Sequence, residues 1–240
     1  MPPAEAETAL CEAVLFDAVG TLVAPHPSVG AVYAAVAADF GVEGDAKALE
    51  AGFRAAWRER AAARFEGEVQ RRTSNARERR WWRGTVRRTF EHAGLPDPGD
   101  GCFAALFRRF GQGRSWRVFD DVRPALRGLQ GQGLRLGVVS NFDSRLHRIL
   151  DDLDLALLLD AVILSAEAGC AKPAQGIWDA AVAAVGAAPR RVLMVGDSLV
   201  EDVTGARAAG CQALLLDREG RHSRPDAIRT LTALAARLRP

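Results

Sequence analysis

Lysine is almost missing from this chain. Of its 32 basic residues only Lys47 and Lys172 are lysines, and the remaining 30 are arginines. Such a bias follows coding composition, and it draws attention to each lysine that survives. An amine kept against that bias marks a candidate for chemistry that needs one. Cysteine is sparse as well. Cys11, Cys102, Cys170 and Cys211 lie far apart and form no CxxC pair. That argues against a zinc site and a disulfide framework, and it predicts free thiols in a reducing compartment. Long apolar runs are also lacking. The longest stretch, Leu155–Leu164, is interrupted by Asp160, well short of the ~18 residues a membrane span requires. Residues 1–10 carry Glu5 and Glu7 without a basic start, unlike a secretory signal. Together these shortages predict a soluble, cytoplasmic protein with no membrane partner.

What is present is an ordinary globular balance, 48% hydrophobic and 26% charged, over 240 residues. That suffices for a core and for one or two domains. The net charge of +2 hides an uneven distribution. Residues 1–50 carry −7, residues 51–118 carry +9, and the rest is balanced. Five short apolar runs stand out: Ala13–Phe16, Leu134–Val139, Ala161–Leu164, Val192–Val195 and Ala213–Leu216. None alternates cleanly with polar residues, which suits strands buried on both faces of a parallel sheet. Helical spacing separates the later runs, with Val122, Leu126 and Leu129 on one face and Ile177, Ala181 and Val185 on another. Ile228, Leu231, Ala235 and Leu238 predict a closing helix. The rhythm predicts an α/β fold, a doubly wound parallel sheet.

Residues 24–115 break that rhythm. They contain no convincing strand but do contain amphipathic helix patterns, such as Val29, Val32, Tyr33, Val36 and Phe40. We read a helical insertion after the first strand, entered at Pro25 and Pro27 and left between Gly111 and Asp121. The core is then residues 1–22 and 116–240, and an α-helical cap spans 23–115. Within the cap, eight arginines between 71 and 88 interleave with Trp81 and Trp82. A solvated helical face explains them better than a nucleic-acid surface, given the small net charge. One or two of these arginines are expected to face the cleft and draw in an anionic substrate.

Three of the strand-like runs end in reactive polar residues. The first ends in Asp17, the second in Ser140-Asn141, and the fourth in Gly196-Asp197-Ser198, with Glu201 and Asp202 close behind. In open α/β sheets, ligands bind beyond the carboxyl ends of the strands. A lone Asp after a strand is usually a turn residue, but three such ends together point to a site.

These residues resemble the haloacid dehalogenase-like (HAD) hydrolase superfamily, in the branch with a helical cap after the first strand. Four motifs carry the resemblance: Asp17-Ala18-Val19-Gly20-Thr21, Ser140 within Val138-Val139-Ser140-Asn141, Lys172 within Gly169-Cys170-Ala171-Lys172-Pro173, and Gly196-Asp197-Ser198-Leu199-Val200-Glu201-Asp202. The resemblance implies a nucleophilic Asp17 that forms an aspartyl intermediate. It implies Mg²⁺ bound by Asp17, Asp197 and the Val19 carbonyl, with Asp202 completing the site. Ser140 and the Asn141 N–H would bind the phosphoryl group, and Lys172 would hold the nucleophile by charge. Gly20 would permit a tight backbone, and Thr21 would orient the Asp17 loop. The implied partner is a small, phosphorylated anion, met by a monomer or a homodimer.

One position departs from the pattern. Phosphatases of the superfamily carry a second Asp two residues after the nucleophile, as proton donor and acceptor. Here that residue is Val19. General acid–base catalysis is worth ~10²–10⁴-fold, so good leaving groups are favoured unless Glu201, His26 or a cap residue supplies the proton. The alternatives are a metal-independent 2-haloacid dehalogenase, opposed by the intact Asp197 and Asp202 pair, and a non-catalytic binding protein. A phosphonate-cleaving variant would need Lys47 as its cap lysine, and Lys47 reads more simply as solvated.

Overall fold

The computed structural model describes residues 11–222, 224 and 227–238. The chain runs β1 (Ala13–Phe16), β2 (Val23–Pro25), α1 (Val29–Ala38), α2 (Ala46–Ala63), α3 (Asn75–His92), α4 (Gly99–Arg109), β3 (Trp116–Val118), α5 (Val122–Gln130), β4 (Arg135–Ser140) and α6 (Arg145–Asp152). It continues through β5 (Ala161–Leu164), α7 (Ser165–Ala168), α8 (Gln175–Val185), β6 (Val192–Gly196), a π-helical turn (Leu199–Thr204), α9 (Gly205–Ala208), β7 (Gln212–Leu216), β8 (Ala227–Ile228) and α10 (Thr232–Arg237). Six strands form one sheet in the order β5-β4-β1-β6-β7-β8, with every pairing parallel. All five apolar runs of the sequence are strands of this sheet.

The doubly wound fold follows from which way alternate residues face. Val14 and Phe16, with Leu136, Val138 and Val195, pack on one side against Leu126 and Leu129 of α5 and Ile149 of α6. Ala13 and Leu15, with Val139 and Met194, pack on the other against Ile177, Ala181 and Val185 of α8. Burying each large side chain contributes ~1.5–3 kcal/mol. Central strand β1 is therefore wholly buried and needs no polar alternation. It lies between β4 and β6, where the winding reverses, the position at which open sheets form a crevice.

Helices α1–α4 build a separate apolar cluster around Val32, Tyr33, Leu49, Phe90, Phe103 and Leu106. Three of them begin on side-chain caps. Ser28 Oγ accepts from Ala31 N, Asp45 Oδ1 from Lys47 and Ala48 N, and Ser74 Oγ from Arg77 N. The chain enters and leaves these helices through an antiparallel ribbon, β2 with β3. The hydropathy pattern does not announce this ribbon, because each strand has only three residues. Two further differences concern helical spacing. Ile228 lies in β8 rather than in the closing helix, and Phe40 follows the end of α1 and is exposed. All four cysteines are free, and no described helix is long and apolar enough to cross a membrane.

Behind the first loop, Arg218 donates to both carboxylate oxygens of Asp121 at 3.0 Å and to the Thr21 carbonyl at 2.7 Å. Leu231 N donates to Asp121 Oδ2 at 2.8 Å. Partial burial works against the Asp121 carboxylate, but these donors outweigh it and hold the carboxyl below its ordinary value. A depressed folded pKa stabilises the fold above the unfolded value of ~3.9, and that stability is lost as pH falls through the folded value. Asp121→Ala is expected to cost about 1.5–3 kcal/mol at pH 7, the range for hydrogen bonds to a charged group. Urea titrations of both proteins between pH 6 and pH 2 check the sign: the gap between them should close only at the acid end.

Candidate active site

The first loop turns sharply as it leaves β1. Leu22 and Val23 N–H both return to the Ala18 carbonyl, and Gly20 N donates to Val23 O at 2.8 Å. Gly20 has φ +93°, and a methyl there would collide with Asp197 Oδ2. Only glycine satisfies both demands. Asp17 N donates to Val195 O at 3.0 Å, which sets the Asp17 side chain beside the end of β6. There the chain bends through the π-helical turn. Gly196 lacks the Cβ that would strike the Asp202 carboxylate, so Asp202 folds back and accepts from Ser198 N at 2.9 Å. Such π turns are common at functional sites.

Lys172 reaches this cluster from the loop after α7. It is 1% exposed. Its ammonium donates to Asp17 Oδ1 at 2.7 Å, Asp202 Oδ1 at 2.6 Å and the Val139 carbonyl at 2.8 Å. Burial would lower its pKa, but the two carboxylates overcome that and raise it, so the amine stays charged. Asp17 is held above the ordinary carboxylate range, by burial first and then by the charges of Asp202 and Asp197, against the pull of Lys172. Asp197 opens onto the cleft yet is walled by protein; that desolvation and then Asp202 push its carboxyl up to about 6.

One oxygen from each of Asp17, Asp197 and Asp202 can lie within 4.8 Å of the others. Three carboxylates against one ammonium leave an excess of negative charge, and the raised Asp17 and Asp197 register it. A cluster of hard carboxylate oxygens with unbalanced charge fits Mg²⁺. Asp202 is the most engaged of the three, with Oδ1 on Lys172 and Oδ2 on Ser198 N.

Ser140 ends β4, is buried, and lines the cleft beside Lys172. Its hydroxyl makes no hydrogen bond with a described residue. Asn141 works as a clamp through its side chain. Its Oδ1 accepts from Lys172 N at 2.7 Å, and its Nδ2 donates to Lys172 O at 3.2 Å and Glu201 Oε2 at 3.0 Å. The structure thus gathers Asp17, Val19, Ser140, Asn141, Lys172, Asp197 and Asp202 around one cavity of about 640 Å³.

Several expectations change. The Thr21 hydroxyl, expected to orient the loop, is buried without a partner; Arg218 anchors the Thr21 carbonyl instead. None of the eight arginines between 71 and 88 lines the cavity; Arg54, Arg64 and Arg145 do. Arg71 still reaches the core, donating to Lys172 O at 3.0 Å and Glu201 Oε1 at 3.2 Å. Arg77 pairs with Glu68, Arg83 with Asp100, and Arg88 with Glu59 and Glu91. Carboxylates thus neutralise much of the basic stretch. Glu201 accepts from Arg71 through Oε1 and from Asn141 through Oε2, so both its oxygens are engaged. His26 and Lys47 are exposed and do not line the cavity, and His147 pairs with Glu167 away from it.

Sequence reasoning missed Arg71 and Arg145 as particular residues. Arg71 sits at φ +43°, next to an Arg72–Cys170 bridge, in a loop without helical periodicity. Arg145 opens α6 and is tied to Asp143 by two bonds of 2.7 Å. Asp143 Oδ1 also accepts from Arg145 N at 3.1 Å.

This combination of fold and strand-end residues defines a class. Residues 11–210 match the haloacid dehalogenase-like hydrolase family, and the chain belongs to it. The "haloacid dehalogenase-like hydrolase domain-containing protein 3" of Danio rerio is 33% identical over 209 residues, covering 86% of this chain and 85% of its own length. A phosphoserine phosphatase of Thermus thermophilus is 33% identical over 153 residues, covering 61% of this chain and 60% of its own. Among solved structures, the magnesium-bound putative HAD-hydrolase YfnB of Bacillus subtilis has a TM-score of 0.77 at 19% identity, over 95% of this chain and 98% of its own. That likeness concerns the fold.

Proposed function

We propose that this chain is a Mg²⁺-dependent hydrolase that removes phosphate from a small phosphorylated substrate through an aspartyl-phosphate at Asp17. Residues 1–22 and 116–240 serve as its catalytic core and residues 23–115 as its cap. The observation that carries the reading is the Lys172 ammonium, bound at once to Asp17 and Asp202 beside the carboxylate of Asp197. A phosphoserine phosphatase among the relatives supports a phosphoryl substrate.

Lys172 holds Asp17 Oδ1 and leaves Oδ2 for attack on phosphorus. The attack splits one hard hydrolysis into two easier transfers. The Ser140 hydroxyl and the Asn141 N–H receive phosphoryl oxygens, and donors placed in advance stabilise charge as it develops. Asp17, Asp197 and the Val19 carbonyl would hold Mg²⁺, with Asp202 completing or steadying the site; bound there, the ion neutralises phosphoryl charge. Arg71 and Asn141 fix the Lys172 backbone, so the ammonium stays in place when a substrate enters. Cap residues from α1–α4 wall the cavity above Asp17 and limit the entry of water.

The test is phosphate release from acetyl phosphate and a panel of monoesters, with Mg²⁺ and with chelator, against Asp17→Asn. Release is expected to need both the metal and Asp17, falling at least ~10³-fold without the nucleophile. Release that survives Asp17→Asn would sink the reading. Halide release from 2-haloacids without metal would favour the dehalogenase in its place.

A further inference from the structure

The cavity above Asp17 has walls rich in aromatic side chains. Tyr33, Phe53, Trp57, Trp82, Phe107 and Trp116 all line it. Several of them already touch one another, edge-on or tilted. Tyr33 and Phe53 lie 6.2 Å apart edge-on, Phe53 and Trp57 are 6.1 Å apart, and Trp57 and Trp82 are 5.8 Å apart. Most charged groups on the wall are committed to protein partners; Arg54, at the rim, makes one 3.4 Å contact with Glu50 and is largely exposed. Arg145 is held by both Asp143 oxygens and the Phe107 carbonyl, with its guanidinium 3.5 Å from the Phe107 ring centre. Arg64 pairs with Glu78, and Glu50 accepts from Gly30 N at 2.8 Å. The Tyr33 hydroxyl makes no hydrogen bond with a described residue, and burial holds its pKa above the ordinary range, so it remains a donor.

We infer that the substrate is an aryl phosphate, whose aromatic leaving group stacks in this cap cavity while its phosphoryl group meets Asp17. The inference rests on the hydrolase reading above and names its substrate class. Two independent observations support it. First, beyond the Tyr33 hydroxyl and Arg54 the wall offers rings and committed ions, so a polyol or an amino-alkyl group would leave most of its polar groups unpaired. A planar ring would instead add stacking to the contacts already made there. A cavity of about 640 Å³ lies within the range of small-molecule sites and admits one or two fused rings. Second, Val19 lines the same cavity in place of a proton donor. Phenols have a pKa near ~10, so a phenolate leaves without being protonated.

The step balances. An Asp17 oxygen bonds to phosphorus, the P–O(aryl) bond breaks, and its electron pair leaves on the phenolate. Water then attacks phosphorus, and the P–O(Asp17) bond breaks with its pair returning to the carboxylate. One water proton stays on phosphate, and the other reaches the phenolate through solvent. Aryl phosphate and water give phenol and phosphate.

The test compares KM and kcat for 1-naphthyl phosphate, acetyl phosphate and glycerol 3-phosphate, with Mg²⁺ present. Acetyl phosphate has a good leaving group without a ring, so KM separates ring binding from leaving-group chemistry. A KM for 1-naphthyl phosphate at least tenfold below that for acetyl phosphate is expected. Trp57→Ala is expected to shrink that advantage several-fold; Trp57 is 39% exposed, so the substitution leaves no closed void in the core. Binding of 1-naphthylmethylphosphonate against methylphosphonate, by calorimetry, gives a readout free of turnover, and the naphthyl compound should bind at least tenfold tighter. Equal KM values with equal phosphonate affinities would overturn the aryl assignment and leave the hydrolase reading standing. If no compound releases phosphate, that reading falls. The phosphonate pair then decides the cavity alone, tighter naphthyl binding supporting an aromatic ligand and equal binding overturning it.

Discussion

Val19→Asp is expected to extend hydrolysis to alkyl phosphates. Glycerol 3-phosphate turnover should rise by ~10²–10⁴, the usual worth of general acid–base catalysis, while acetyl phosphate turnover changes less than about tenfold because its leaving group needs no proton. The position is suitable. Val19 lines the cavity two residues beyond Asp17, half-buried against the core cluster. A carboxyl placed there would stand beside three others and be partly desolvated, and both effects favour its protonated form. An acid needs that form for its first task. The cost is a modest loss of apolar burial, about 1 kcal/mol, visible in a thermal melt. The variant also separates two explanations of leaving-group preference. If glycerol 3-phosphate turnover rises, the missing proton donor set the limit. If it stays flat with unchanged KM, the limit lies elsewhere. Glu201 would then be a poor suspect, because Arg71 and Asn141 already occupy its oxygens.

Much of this site is legible in the sequence, for a physical reason. Strands buried on both faces must be apolar throughout, so Ala13–Phe16 and Val192–Gly196 announce themselves locally. A reactive residue just beyond such a run can only lie at the carboxyl edge of the sheet. Asp17, Ser140 and Asp197 are therefore placeable from order alone, whereas Lys172 is drawn out by its rarity and placed in the site only by the family resemblance. The cavity wall is different. Tyr33, Phe53, Trp82 and Phe107 sit on four different helices, and each reads as an ordinary apolar helix position. Nothing local separates an aromatic that packs from one that faces a void, since both obey the same 3.6-residue period. Arg71 is hidden for the opposite reason. Its contacts with Lys172 and Glu201 join residues 101 and 130 positions apart through a loop without period. Strand β8 is too short to outweigh the helical spacing that continues through Leu231.

Lys172→Met is expected to abolish turnover while leaving a folded but weaker protein. Removing one well-placed electrostatic donor commonly costs ~10²–10³ in rate. Lys172 serves two carboxylates and one carbonyl, so a loss of at least ~10³ is expected. Stability should fall too, because taking one partner from a buried pair costs about 3–5 kcal/mol. Methionine keeps most of the volume, so the loss comes from charge rather than from a cavity. Added Mg²⁺ is expected to restore part of the thermal stability, since a cation bound by the folded state raises it, and to restore none of the turnover. Recovery of turnover by Mg²⁺ alone would show that Lys172 merely balances charge. Lys172→Arg should fail as well, and for a geometric reason. Three acceptors, Asp17 Oδ1, Asp202 Oδ1 and Val139 O, surround a single nitrogen at 2.6–2.8 Å. An ammonium offers three donors from one point, whereas a guanidinium spreads five over a planar fork. In a chain that uses arginine for 30 of its 32 basic residues, that difference in shape accounts for the lysine kept here.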